Sequence, residues 1–485
     1  MSSQNLTKFV QFMRNYTPDS EMELINLGKS LGLDLFSFKK LRNSQNGNFI
    51  DAIRENAFRK MKSKNENKVK KGGLFFVGSI DFMISKDKKG EIKYFLLEAN
   101  GGSSRGLSIL TPTQQQIIYQ GYLEAIDKAL KKKKKREKKI LILIGIPVGD
   151  GLIHEKALMI SYLRENLEKR HLTIGLSEMN SFTPKFSEDV MFLIVDYKQL
   201  SKTLSYKNNW IKFNGNNVDV LIGDGVSRRL TDDDFKALLI NNLEKLNTII
   251  VNPIYLITDD KSLAYLAKHL VNQELKKYNN AKFLFTKAVN EKELTEKIQL
   301  AVNQYNRAFI IKPYGGSGGV GVMSIFPEDI RNNTRRVKEI ITQSQNEFYR
   351  RFMDKRSPFP YTIQEMANFS LIDWRGGKHT FDIRIYLSQI QNKIIPVGGL
   401  ARIARGDFIR GMNKEEFVVN LSGFDGRIEV DRGLGFSEKA TEFLGLDSDD
   451  FIDLFCNSSI IFKSIIENYQ KIVKFDNWDK IIGPD

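Results

Sequence analysis

Apolar side chains recur at three- and four-residue steps near the amino terminus (Leu6, Phe9, Val10, Met13), which predicts helices up to about residue 70. A polar, basic tract (KMKSKNENKVKKGG) closes this region as a loop. Two β-rich runs follow, Leu74 to Ile84 (LFFVGSIDFMI) and Tyr94 to Ala99 (YFLLEA). The turn-forming SKDKKGE lies between them, so they are expected to pair as adjacent antiparallel strands. A Gly/Ser loop then leads to a helix predicted from about Pro112 to Lys135.

The rhythm changes between residues 139 and 250. Short runs apolar at every position (KILILIGI, VMFLIVDY, VDVLIGD) alternate with amphipathic stretches, as in a parallel α/β layer whose strands are buried on both faces. The segment Gly145 to Gly151 lacks GxGxxG spacing and reads as a strand-to-helix turn. From Asn252 onward strands and helices mix, with strand-like runs at FDIRIYLSQ and IIPVGGLARIA, and after about Phe436 the chain reads as a helical tail. The expected organisation is therefore a helical segment (1–70), a β-rich unit (71–138), a Rossmann-like parallel α/β domain (139–250), a mixed α/β unit (251–435) and a helical end (436–485), an α/β and α+β fold without a fixed-period repeat.

With 41% hydrophobic residues in 485, there is ample material for several cores, which excludes wholesale disorder. The longest apolar run, Ile140 to Val148, is less than half of the roughly 20 residues that a membrane-spanning helix needs, and no signal-like segment opens the chain. These features, with Cys456 as the single cysteine, predict a soluble cytoplasmic protein. The formal charge of +16 leaves room for an acidic partner. Its densest block, Lys131 to Arg136, reads as a solvated helix end without the interleaved aromatics of a single-strand binder, so a nucleic-acid partner is not expected.

The strongest chemical signal is FIIKPYGGSGGVGV at Phe309 to Val322. A strand delivers Lys312, and Gly315, Gly316, Ser317, Gly318, Gly319 and Gly321 let backbone amides close on an anion without Cβ obstruction. The lysine precedes the glycines and no GK[ST] follows, so this is not a P-loop. A second signal lies far upstream. Asp81 and Glu98 are 17 residues apart on neighbouring predicted strands, and Asn100 shares the face of Glu98 because strand side chains alternate. Two carboxylates and an amide form a hard, all-oxygen set suited to Mg2+ bridging phosphates. The histidines (His154, His171, His269, His379) are scattered without zinc-like spacing.

Lys312-Pro313 with its glycine loop, YTIQEM ending at Gln364-Glu365, Asp382-Ile383-Arg384, LARIARGD and Asn420-Leu421-Ser422-Gly423 together resemble the ATP-grasp ligases, most of all the glutathione synthetase branch, over roughly residues 250 to 425. The metal-type strands precede the loop here, with GGSSRGLSILTP after Glu98-x-Asn100. This order is similar to the circularly permuted group containing eukaryotic-type glutathione synthetase and glutathionylspermidine synthetase. The resemblance implies two β-rich lobes sandwiching ATP. It also implies Lys261, Lys312 and the loop on the phosphates, Gln364 and Glu365 at the adenine hinge, and Asp81, Glu98 and Asn100 on two Mg2+ ions. Arg384 and Arg402 would face a phosphoryl group or substrate carboxylate, and Asn420 would lie near the metals or substrate. Two departures stand out: Ser79 occupies the place of an arginine, leaving Arg105, Arg384 or Arg402 to compensate, and glycines replace a glutamate of the loop.

The implied reaction is ATP-dependent amide formation between a carboxylate and an amine through an acylphosphate, on a small molecule, a peptide or an acidic protein tail. Phosphoryl transfer to a hydroxyl, and nucleotide or polyanion binding without catalysis, remain the alternatives. The acid's pocket is expected where the 139–250 layer meets the lobes.

Overall fold

The computed structural model describes all residues except 1, 19, 37, 63–64, 71–76, 102–105, 134–138, 147–148, 150, 224–232, 242, 332–333, 354–355, 422–427 and 484–485. Four helices occupy the amino-terminal region, the longest being Gly47–Lys62. Strands β1 (Val77–Lys86) and β2 (Ile92–Gly101) then pair antiparallel. Their turn is closed by Asp87, whose Oδ1 accepts from the amides of Lys89 (2.8 Å) and Glu91 (3.0 Å). The next helix, Pro112–Lys132, opens with a reciprocal capping box between Thr111 and Gln114 and with proline in its first turn. It stops three residues short of the expected end, and the later part of the lysine run lies outside the described residues.

Strands β3 (Ile140–Ile146), β4 (Ile174–Glu178) and β5 (Val190–Asp196) are followed by a meander of β6 (Leu204–Lys207), β7 (Trp210–Phe213) and β8 (Asn216–Asn217), then β9 (Val220–Ile222) and β10 (Ile249–Ile250). A five-stranded sheet in the order β10-β9-β3-β5-β4 results, every neighbouring pair parallel. The run of consecutive apolar residues in β3 is explained by burial on both faces. Ile140, Ile142, Ile144 and Ile146 enter one core, and Leu141 and Leu143 enter the other.

A second sheet contains β11 (Phe285–Ala288), β12 (Phe309–Pro313), β13 (Met323–Ile325) and β14 (Tyr361–Glu365), antiparallel in the order β11-β14-β12-β13. Helices Glu291–Tyr305 and Thr334–Phe352 cover it through Leu294, Ile298, Val337 and Ile341. The largest sheet joins distant parts of the chain. Beside β1 and β2 lie β16 (Gly377–Ile390), β17 (Lys393–Ile403) and β18 (Gly433–Gly435), in the order β18-β17-β16-β1-β2, with β15 (Leu371–Trp374) on β16. Ile80 and Phe82 point from β1 into a core shared with helix Ser448–Glu467, which carries buried Cys456, a residue acting as a small hydrophobe. Ser79 and Asp81 alternate to the opposite face. No helix among the described residues is long and apolar enough to cross a membrane.

The approach of β17 to β16 depends on Gly399, where a Cβ would stand 1.8 Å from the carbonyl oxygen of Arg384. Gly399→Ala must push the strands apart directly behind Arg384. It is expected to destabilise the protein by about 1–3 kcal/mol in a denaturant titration, and an unchanged midpoint would contradict this packing.

Candidate active site

Cross-strand register assembles the polar face of the large sheet. Arg384 lies opposite Asp81, Asp81 opposite Glu98, and Arg402 opposite Asp382. Alternation then places Asp382 and Arg384 of β16 on one face, with Asn100 two residues beyond Glu98 on β2. Arg384 donates from Nε to Asp81 Oδ1 (2.8 Å) and from Nη2 to Oδ2 (2.6 Å), and Arg402 Nη2 donates to the same Oδ2 (2.8 Å). Arg402 also donates from Nε to Asp382 Oδ1 (2.8 Å) and from Nη2 to Oδ2. Asp81 and Asp382 are buried.

Burial alone would raise the Asp81 carboxyl, but the charges of Arg384 and Arg402 outweigh it and hold the group well below the usual carboxylate range. Asp382 goes the other way, to about 6, because burial outweighs the pull of Arg402 and the charge of Asp81 adds to the rise. The two arginines were expected to face a ligand. The structure engages both with carboxylates of the fold, since a buried guanidinium without a counter-charge is costly. Arg384 keeps 20% of its side chain exposed, against 8% for Arg402, and its Nη2 lies 3.7 Å from Glu98 Oε1. Ser79 is also buried, and its Oγ has no hydrogen-bond partner among the described residues. Arg384 and Arg402 are thus the arginines that reach Asp81 from neighbouring strands, whereas Arg105 lies outside the described residues.

Lys261 opens the helix Lys261–His269, capped by Asp260, and its Nζ reaches three chain segments: Thr258 O (3.4 Å), Gly316 O (3.4 Å) and Glu98 Oε2 (3.8 Å). Lys312 rises from β12 to donate to the hydroxyl of Tyr265 (2.9 Å), with Leu97 O at 3.4 Å. Burial lowers its ammonium to about 7, Lys261 adds to the fall, and Glu98 opposes it. Between and beyond these lysines the glycine loop adopts left-handed backbone at Gly315 (φ 62°), Gly318 (66°), Gly319 (76°) and Gly321 (72°), a conformation that side chains with a Cβ rarely adopt. Gly316 N bonds Pro313 O (3.3 Å) and Val320 N bonds Ser317 O (3.4 Å), which folds the loop on itself. It packs under residues 418–420: a Cβ at Gly319 would meet Val418, and one at Gly318 would meet the Asn420 amide. Ser422 and Gly423 lie outside the described residues.

Gln364 and Glu365 spend their side chains within the fold. Gln364 is buried, accepting from Tyr265 and donating to Leu96 O (3.1 Å), while Glu365 pairs with Arg307 and accepts the Leu284 amide (3.0 Å). Tyr265 escaped the sequence reading, and Asp382 entered it only within the Asp382-Ile383-Arg384 motif and without a role, although each touches the central groups. Tyr265 falls one helical turn after Lys261, and Asp382 two residues before Arg384, so spacing carries a signal for both.

Asp81, Glu98 and Asn100 place hard oxygen donors side by side, the chemistry that suits Mg2+. Asp81 Oδ1 accepts a single guanidinium N–H, whereas Oδ2 accepts two, and Asn100 donates its amide N–H to Glu98 Oε1 (3.2 Å). By donor type the residues fit the ion, although no group of three or more His, Cys, Asp or Glu side chains is arranged for a metal among the described residues. Arg384, Arg402, Lys261 and Lys312 surround Asp81, Glu98 and Asp382, so the cluster carries four basic groups against three carboxylates.

No family model and no curated protein matches the chain. Among solved structures it is similar to a proposed gamma-glutamylcysteine synthetase of Methylobacillus flagellatus KT (14% identity over 87% of this chain and 94% of that one, TM-score 0.46). It is also similar to a glutathione synthetase-like effector of Globodera pallida (12%, 75% and 80%, TM-score 0.36). A third is D-alanyl-alanine synthetase A of Vibrio cholerae (13%, 64% and 78%, TM-score 0.30). All three scores lie below 0.5, so the site is read from its own geometry.

Lys312 and Lys268, both lowered to about 7 chiefly by burial, stay protonated in the unfolded chain up to the ordinary lysine value of 10.5. The unfolded chain therefore binds more protons between those values, and stability rises with pH across that window by about 1.4 kcal/mol per pH unit for each proton. Chemical denaturation from about pH 7 to about pH 10 is expected to show this rise, and Lys312→Met to halve it. An identical slope in the variant would contradict the assignment.

Proposed function

We propose that this chain is an ATP- and Mg2+-dependent ligase that joins a carboxylate to an amine through an acylphosphate, releasing ADP and phosphate. The observation that carries the reading is the position of Lys261. Its ammonium lies within 3.8 Å of both Gly316 O in the glycine loop and Glu98 Oε2 on β2, so a phosphate-type cradle and an oxygen-donor strand meet although 218 residues separate them.

In this reading Lys261, Lys312 and the amides of Ser317, Gly318 and Gly319 hold the phosphates, while Gly315 and Gly316, whose amides bond Asp259 O (3.0 Å) and Pro313 O (3.3 Å), shape the loop. Lys312 takes up a proton when an anion replaces its neutral surroundings, and Tyr265, supported by Gln364, fixes where its ammonium stands. Asp81, Glu98 and Asn100 would hold Mg2+, which when bound neutralises phosphate charge and polarises the transferring group. The partly exposed edge of Arg384 stabilises negative charge developing on the transferring phosphoryl group, while Arg402 fixes Asp81 and Asp382.

A substrate carboxylate oxygen bonds to the γ-phosphorus as the bond to ADP breaks. The amine nitrogen then bonds to the acyl carbon, the carbon–oxygen bond to phosphate breaks, and the proton the amine loses leaves with the departing phosphate as hydrogen phosphate. No side chain enters a covalent step, so the protein contributes position and charge.

The test is ADP and phosphate release from Mg·ATP across paired carboxylates and amines. Turnover is expected to require both partners and to fall by about 100-fold or more in Glu98→Gln, of the order seen on removing a stabilising polar group from a catalytic site. Full activity in that variant, or phosphoryl transfer without need of an amine, would overturn the reading.

A further inference from the structure

Outside the polar face of the large sheet, the small sheet and its covering helix carry a trough that the ligase chemistry does not use. It holds about 940 Å3 along helix Thr334–Phe352, with Lys414 and Val320 of the glycine loop forming the rest of its wall. A second basin of about 440 Å3 continues it, sharing Gln343, Glu347 and Lys414.

The charges in the first basin are lopsided. Arg335, Lys338, Arg350, Arg351 and Lys414 face two carboxylates, and both carboxylates are already neutralised internally, Glu339 by Arg335 (3.2 Å) and Glu347 by Lys414. Lys338, Arg350 and Arg351 are exposed and form no ion pair among the described residues. From Lys338 to Arg351 the helix rises about 20 Å, the reach of about six extended residues. At the second basin two apolar side chains stand in solvent, Ile409 at 84% exposure and Met412 at 57%.

We infer that this trough docks an acidic peptide segment of about six residues, with carboxylates on Lys338, Arg350 and Arg351 and an apolar side chain against Ile409 and Met412. A peptide fits better than a nucleic acid. The first basin offers no aromatic ring for a base to stack on, and the second offers exposed Ile409 and Met412, which suit an apolar side chain rather than a phosphate. Resting on the ligase reading, the docked chain is the acceptor whose carboxylate the site activates, because the basin borders the loop that carries Val320.

Fluorescence anisotropy with a labelled Glu/Leu hexapeptide, without nucleotide, tests the surface separately from turnover. Probes of the same length with Gln for Glu, and a single-stranded DNA hexamer, serve as alternatives. The full-length protein is expected to bind the acidic peptide, more weakly as salt rises from about 50 to about 200 mM, and to lose about ten-fold or more in Lys338→Glu/Arg350→Glu/Arg351→Glu. Arg350→Gln/Arg351→Gln, a milder change on the solvent face, is expected to lose several-fold with an unchanged melting temperature. Equal affinity in the variants, equal binding of the Gln peptide, or tighter binding of the DNA would overturn the proposal. Binding without any turnover would leave the docking surface standing and overturn the ligase reading instead.

Discussion

Asp81, Arg384, Arg402 and Asp382 form one buried, alternating chain of charge across three strands. Each of these groups would be unaffordable alone in the interior, and each is neutralised only by a neighbour on another strand, so the chain of ion pairs enforces the β17-β16-β1 register. That register in turn brings Glu98 beside Asp81 and aims the exposed edge of Arg384 at it. Gly399 makes the arrangement sterically possible by letting β17 close on the backbone of Arg384.

The row also resolves a puzzle raised by Ser79. A serine at that position cannot neutralise Asp81, yet the carboxyl is held well below the usual range against the effect of burial, because two arginines arrive from β16 and β17. Charge that could have come from the same strand comes from across the sheet. The consequence is an electropositive surround for Asp81 and Glu98.

Much of the large-sheet hairpin was legible in the sequence. The β1–β2 pairing followed from two apolar runs around a turn of charged residues and glycine, and the shared face of Glu98 and Asn100 followed from period-two alternation. Lys312 and the glycine loop were equally visible, since their residue types are needed locally. What the sequence concealed was pairing at long range: that Arg402 would be held by Asp382 and Asp81, that Gln364 would turn inward to Tyr265, and that Lys261 would meet Glu98. Those contacts depend on how sheets stack, and no local spacing encodes them. The trough beneath Val320 was hidden for the same reason, although the +16 charge had pointed to an acidic partner.

If the oxygen donors of β1 and β2 and the lysine–glycine elements serve one ligand, electron paramagnetic resonance of Mn2+ with a non-hydrolysable ATP analogue will show it, since the ion reports the donor strands and the nucleotide reports the loop. Tight Mn2+ binding is expected only when the nucleotide is present, and is expected to be lost in both Glu98→Gln and Lys312→Met, which alter different sheets. Binding of Mn2+ that is indifferent to nucleotide, or that survives Lys312→Met unchanged, would contradict a shared site.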